Sequence, residues 1–181
     1  RERGTARARN EGARLADGDV LAFIDADTTL LPGYIDAVSA SFGDGRVLAV
    51  SCAFKFTRRS PKLLLAEHAT NAYYVLRSLF GAATLPGFNF CVRRDAFERL
   101  GGFRLCLLED LDMSIRLREA GKTVYLAKRS VVTSSRRLEA DVLSGALRYY
   151  VDLFEASQHR RFGFQPVKLG ENKFNDYVHR E

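Results

Sequence analysis

The chain alternates between short apolar runs and segments of helical period. Small or apolar positions Ala6, Ala8, Ala13, Leu15 and Ala16 predict a helix over residues 5–16, ended by Asp17-Gly18. Val20-Leu21-Ala22-Phe23-Ile24 is a continuous apolar run, which predicts a strand buried on both faces, as in a parallel sheet covered by helices. Pro32 predicts the opening of a helix of about ten residues, closed by Gly43 and Gly45. Arg46 to Phe56 reads as a strand, and Ser60-Pro61 as an N-cap and first-turn proline of a long helix reaching about Leu79. After a loop from Gly81 to Gly87, Phe88 to Val92 predicts a strand, and Asp95 is expected to cap a brief helix that stops at Gly101-Gly102. A helix from about Glu109 to Ala120 ends at Gly121, Thr123 to Ala127 reads as a strand, and Val131 to Ser135 leads into a helix from about Leu138 to Ala156. The tail from Gln158 is polar and carries no assignment.

Strands alternating with helices predict an α/β architecture, in which ligands bind beyond the carboxyl ends of strands. Asp25-Ala26-Asp27 stands at that end of the first strand. In extended chain, residues two apart face the same side, so both carboxylates would converge on one point. Such a pair repels unless a cation lies near it, and oxygen-only ligands suit Mg²⁺ or Mn²⁺, whose shells are completed by waters and substrate phosphates. The plainer alternative is that one aspartate caps the turn before Pro32.

Composition narrows the function classes. With 181 residues, 46% hydrophobic and 28% charged, the chain can bury the core of one globular domain. No run approaches the ~18 apolar residues of a membrane span, and no signal-peptide pattern opens the chain. Cys52, Cys91 and Cys106 lack CxxC spacing and read as small core residues of a reducing compartment; His68, His159 and His179 are scattered. The net charge of +6 rests mostly on arginines mixed with acids, without the basic stripe and stacking aromatics of a nucleic-acid binder. Donor phosphates or an anionic lipid surface fit that charge equally.

Taken together, three segments resemble the signature of family 2 glycosyltransferases of the GT-A fold. They are Ala8-Arg9-Asn10-Glu11-Gly12 with Ala16 through Asp27; Asn89 through Phe97 with Gly101-Gly102-Phe103; and Glu109-Asp110-Leu111-Asp112 through Leu117, then Ala120-Gly121. The resemblance covers roughly residues 4–135 and implies a mixed sheet flanked by helices, Rossmann-like, over residues 1–157, with 158–181 a polar tail. It implies that Asp25-Ala26-Asp27 is the DxD motif holding the divalent metal and donor diphosphate. It implies further that Asp110 is the catalytic base of an inverting transfer from a nucleotide sugar to a sugar or lipid-linked acceptor, with Glu109 beside it as a substrate contact. Glu109, Asp110 and Asp112 are alternatively ordinary first-turn acids favoured by the helix dipole. Arg9 and Asn10 fall on the donor side, with Arg9 otherwise a surface charge. Asn89 falls in the segment that shapes the sugar pocket, or is a buried strand asparagine. Arg136 and Arg137 are placed to reach the diphosphate, or form a solvated pair.

Departures from the family set further expectations. The Pro-x-Tyr-Asn-Glu strand and paired-aspartate strand that bind base and ribose are not seen, so about 60 residues of such βαβ structure are expected to be missing ahead of Arg1. The chain alone is then expected to expose an apolar sheet edge beside Val20–Ile24. Gly145 to Tyr149 keeps an arginine and an aromatic but not the Gln-x-x-Arg-Trp of processive members, which argues for single-sugar transfer. The expected setting is cytoplasmic, with peripheral contact at the inner membrane face. A non-catalytic remnant acting as a binding module is the competing reading.

Overall fold

The computed structural model describes residues 4–106 and 108–136. Helix α1 (Thr5–Leu15) leads to β1 (Val20–Ile24) and β2 (Thr29–Leu30), followed by α2 (Tyr34–Phe42), β3 (Val47–Phe56) and α3 (Pro61–Leu79). β4 (Asn89–Arg93), α4 (Arg94–Arg99), α5 (Glu109–Ala120) and β5 (Lys122–Thr133) complete the described elements. The strands form one mixed sheet in the order β1-β4-β3-β5-β2, with only β3 and β5 parallel.

Alternation along the strands sends side chains into two cores. Leu21 and Phe23 of β1 join Phe90 and Val92 of β4 under α1, α4 and α5, with Ala6, Ala13, Phe97, Met113 and Leu117 filling that layer. Cys91 of β4 points the other way, with Val50 and Cys52 of β3, to meet Tyr34 and Val38 of α2 and Leu63 and Tyr74 of α3. A sheet with helices on both faces is the α/β arrangement expected from the alternating elements.

Four expectations are corrected. β1 is not the parallel, doubly covered strand its apolar run suggested: it runs antiparallel to β4, has no strand on its other side among the described residues, and leaves Ala22 exposed. The alanine carries little area to bury, so the run reads as more buried than it is. Pro32 does not open α2; Gly33 precedes the helix in a left-handed conformation, and the short strand β2 lies before them. Asp95 caps nothing, since it sits inside α4 and pairs with Arg99 at 2.7 Å. The segments 123–127 and 131–135 merge into one strand, whose register against β3 shifts between Cys52 and Ala53. The Ser60 cap is as expected, its side chain accepting from the Leu63 N–H at 3.2 Å. The helix expected over 138–156 lies outside the described residues.

The cysteines are free: Cys52 and Cys91 are buried and Cys106 is half-buried. Burial pushes the Cys106 thiol up to about 11, with Asp112 and Glu109 adding to the shift. Its thiolate fraction at pH 8 is then about 100-fold below that of a free thiol. Iodoacetamide should alkylate the native chain correspondingly slowly, with the rate rising tenfold per pH unit towards 11. Alkylation at the rate of free cysteine at pH 8 would contradict this.

Candidate active site

The site is assembled around one loop residue, Gly87, between α3 and β4. Its carbonyl accepts from Arg9 Nη2 at 3.1 Å and its N–H donates to Asp110 Oδ2 at 2.9 Å. Arg9, on α1, also donates from Nη2 to Asp25 Oδ1 at 3.0 Å and from Nη1 to Glu109 Oε1 at 2.6 Å. One guanidinium therefore joins the end of β1, the loop before β4 and the start of α5. Its fork geometry suits such divided pairing. The guanidinium lies 5.5 Å from the centre of the Phe103 ring, which packs against Phe23, Phe90 and Phe97. A side chain at position 87 would meet Arg9 Nη2 at 2.7 Å, so only glycine lets the guanidinium lie this close.

The Asp25–Asp27 segment is a turn rather than extended chain: the Thr28 N–H donates to the Asp25 carbonyl at 2.9 Å. The same-side geometry expected of an extended pair therefore does not hold. Asp25 is engaged by Arg9, whereas Asp27 is exposed and no hydrogen bond or ion pair holds its carboxylate among the described residues. The turn is pinned from the far side, where the Thr28 hydroxyl bonds that of Thr133 at 3.0 Å and β2 pairs with β5. The chain that continues to Arg136 thus starts beside the turn; Arg136 is exposed, and Arg137 lies outside the described residues. Among the described residues no three His, Cys, Asp or Glu side chains gather as a metal cluster.

The first turn of α5 sorts its three acids. Asp112 is committed to Arg116 at 2.7 Å, which in turn holds the Leu100 and Gly102 carbonyls. Glu109 is taken by Arg9. Asp110 faces two backbone N–H groups, those of Gly87 and Leu111, and no cation pairs with it among the described residues. The Ser114 hydroxyl locks this turn to the loop, donating to the Asp110 carbonyl at 2.7 Å and accepting from the Leu85 N–H at 3.0 Å. Leu108, just before the acids, is held at φ 60°, a left-handed conformation that costs a leucine about 1–2 kcal/mol. Burial pushes the Glu109 carboxyl up, with Asp110 adding to this, while its backbone hydrogen bond and Arg9 pull it down.

Two other sequence candidates support the structure from within. Asn10 clasps Phe103, donating to its carbonyl at 2.8 Å and accepting from its N–H at 2.9 Å. Gly102 explains part of the Gly-Gly-Phe motif: it sits at φ 69°, and a Cβ there would meet Asn10 Oδ1 at 2.8 Å. Asn89 is fully buried, donating to the Cys52 carbonyl at 2.6 Å and accepting from the Tyr34 hydroxyl at 2.7 Å. The buried-strand alternative describes it. Asn89→Ala would leave the Cys52 carbonyl without its side-chain donor and the Tyr34 hydroxyl with only its weaker contact to Cys91 Sγ, so a loss of about 1–3 kcal/mol is expected from urea unfolding. An unchanged midpoint would show that these bonds are replaced by water.

The sequence reading missed Gly87, Ser114 and β2. Gly87 was visible as a glycine directly ahead of the Phe88-Asn89 strand, but nothing local reveals that both its backbone groups are used.

A groove of about 440 Å³ runs between α1 and the edge of β1 that no described strand pairs with, and Arg9 and Asp25 form part of its wall. Chains of known structure share this fold. A mannosyltransferase from Pyrobaculum calidifontis, solved with GDP-Man and Mn²⁺, superposes with a TM-score of 0.61 at 24% identity, over 74% of this chain and 37% of that one. Glucosyl-3-phosphoglycerate synthase from Mycobacterium tuberculosis, solved with Mn²⁺, UDP and glucosyl-3-phosphoglycerate, gives 0.58 at 13% identity, over 92% and 57%. The fold is thus that of the GT-A glycosyltransferases. Residues 20–170 match the model of glycosyl transferase family group 2, and the chain belongs to that family. A probable glycosyltransferase of Bacillus subtilis (strain 168), YdaM, is 29% identical over 128 residues, which is 66% of this chain and 30% of that protein. The chain therefore spans about a third of that relative.

Proposed function

We propose that this chain forms the acceptor side of an inverting glycosyltransferase that moves a sugar from a nucleotide-diphosphate donor to an acceptor hydroxyl or lipid phosphate. The observation that carries the reading is the linkage through Gly87: the Asp25 turn and Asp110 border one site, joined by Arg9. Asp27, whose carboxylate is exposed and unengaged among the described residues, would hold a Mg²⁺ or Mn²⁺ ion, a hard cation that takes one or two carboxylates together with substrate phosphates and waters, with Asp25 beside it in the turn. When bound, that ion supplies neutralisation of the charge that develops on the leaving diphosphate.

The remaining chemistry belongs to the chain. Arg9 holds Asp25 and Glu109 at fixed separation, which makes it a positioning residue. Asp110, oriented by the Gly87 N–H, keeps lone pairs free for the acceptor. As the acceptor oxygen bonds to the anomeric carbon, its proton passes to the Asp110 carboxylate, the bond from that carbon to the diphosphate oxygen breaks, and the configuration inverts. Arg136, which follows β5 beside the Asp25 turn, and its neighbour in sequence Arg137 are proposed to meet the diphosphate.

Transfer from a panel of nucleotide sugars, measured with and without Mn²⁺, tests this proposal. Product should require the ion and fall by at least about 100-fold in Asp27→Ala. Transfer that survives both chelation and Asp27→Ala would remove the Asp25 turn from the mechanism.

A further inference from the structure

Helix α3 carries an apolar stripe that nothing in the described fold covers. At 100° per residue, Leu65, Ala69, Ala72, Leu76, Leu79 and Phe80 fall within one narrow face running the length of the 19-residue helix. Leu65 is 72% exposed, Leu76 55%, Leu79 77% and Phe80 80%. The opposite face, with Leu63, Glu67 and Tyr74, packs on β3 and β5. β1 and its open edge lie at the other end of the sheet, so a strand added there would not reach this stripe.

Within residues 45–94 the exposed charge has one sign. Arg58, Arg59 and Lys62 are exposed, the two arginines directly preceding the Ser60 cap, and Lys62 and His68 are the ionisable groups on the stripe itself. Between Gly45 and Arg94 the sequence contains one acid, Glu67. That acid is turned inward, accepting from the Phe56 N–H at 2.7 Å with Arg59 at 3.4 Å. No described helix is long and apolar enough to cross a membrane. An exposed apolar face with a basic end and no exposed acid is the pattern of a helix that lies in the plane of an anionic lipid surface.

We infer that α3 docks this domain on an anionic membrane, with Leu65, Leu76, Leu79 and Phe80 entering the headgroup boundary and Lys62, at the basic end of the stripe, facing lipid phosphates. The inference does not depend on which sugar is transferred, or on whether any is.

The full chain should co-sediment with vesicles of about two parts phosphatidylcholine to one part phosphatidylglycerol, and only weakly with phosphatidylcholine alone. Leu65→Gln/Leu76→Gln/Leu79→Gln should weaken partitioning by more than about tenfold. Lys62→Gln should weaken it by about fivefold and reduce its salt sensitivity, since each basic group near such a surface contributes about fivefold. Phe80→Ser, at the exposed helix end, gives a second apolar test should the triple variant fold poorly, and circular dichroism checks the fold of each variant. Failure of the wild-type chain to bind the anionic vesicles would overturn the inference. So would equal binding by the folded apolar variants, or a wild-type dimer that ignores vesicles and dissociates in the triple variant, which would make a second copy the occupant.

Discussion

Asp110→Asn should reduce sugar transfer by about 10²–10⁴-fold, the usual worth of a general base, while donor affinity hardly changes. Asparagine keeps the size of the side chain and can still accept the Gly87 N–H through its amide oxygen, which holds the loop, while it gives up the bond from the Leu111 N–H. What it cannot do is take the proton of the acceptor. The three acids at the start of α5 make the comparison sharp. Asp112 is spent on Arg116 and Glu109 on Arg9, so Asp112→Asn and Glu109→Gln should show their main effects in stability rather than in turnover. Steady-state transfer with donor affinity measured in parallel separates these outcomes. Near-normal turnover in Asp110→Asn, or a larger turnover loss in Glu109→Gln, would place the base on a different carboxylate.

Arg9→Ala should destabilise the domain by about 2–4 kcal/mol at neutral pH, because it leaves Glu109 charged and mostly buried without its cation. Asp25 contributes less to that loss, since 38% of its side chain is exposed and solvent screens it. The deficit should depend on pH with a definite sign. Burial already pushes the Glu109 carboxyl above its ordinary value, so the folded chain binds this proton more readily than the unfolded chain. Its contribution to stability is therefore fully present below the ordinary glutamate range and is lost as pH rises through the raised value. Removing Arg9 raises that value further. The Arg9→Ala deficit should consequently shrink as the solution is acidified and Glu109 becomes neutral, and should be smaller in the Glu109→Gln background, where only the bonds to Asp25 and Gly87 and the packing on Phe103 are lost. Urea unfolding of the two single variants and the double variant across pH measures the coupling. Turnover should also fall in Arg9→Ala and be partly restored by lysine, which keeps the charge but not the fork. Strict additivity of the two substitutions would show that the pair does not hold the site.

The apolar runs and glycine punctuation made most elements legible before any coordinates. Val20–Ile24, Ser60 with Pro61, and the Glu109–Ala120 helix bounded by Gly121 all carry their signals locally. Strand direction was not local. The β1 run looks like a parallel core strand, yet it pairs antiparallel with β4, a partner more than sixty residues away in the chain. β2 escaped notice because two residues set no period, and its place depends on β5. The candidate site divides in the same way. Asp25, Asp27, Glu109 and Asp110 stand out by residue type and spacing, and the structure places three of them around Gly87. The split of duties among them was invisible, because it is set by one guanidinium reaching from α1 to carboxylates 16 and 100 residues away. Asn89 shows the converse: a polar residue in a signature segment reads as a ligand contact until its amide is seen spent on Tyr34 and Cys52.

The most direct test of the central claim is where Mn²⁺ binds when the protein carrying this chain is crystallised with a nucleoside diphosphate. Anomalous scattering locates the ion without assumption about the chemistry. It should lie on the Asp27 carboxylate at the end of β1, with Asp110 across the site beyond the diphosphate and outside the ion's coordination shell. An ion held instead by Glu109 or Asp112, or diphosphate bound away from the Asp25 turn, would contradict the assignment.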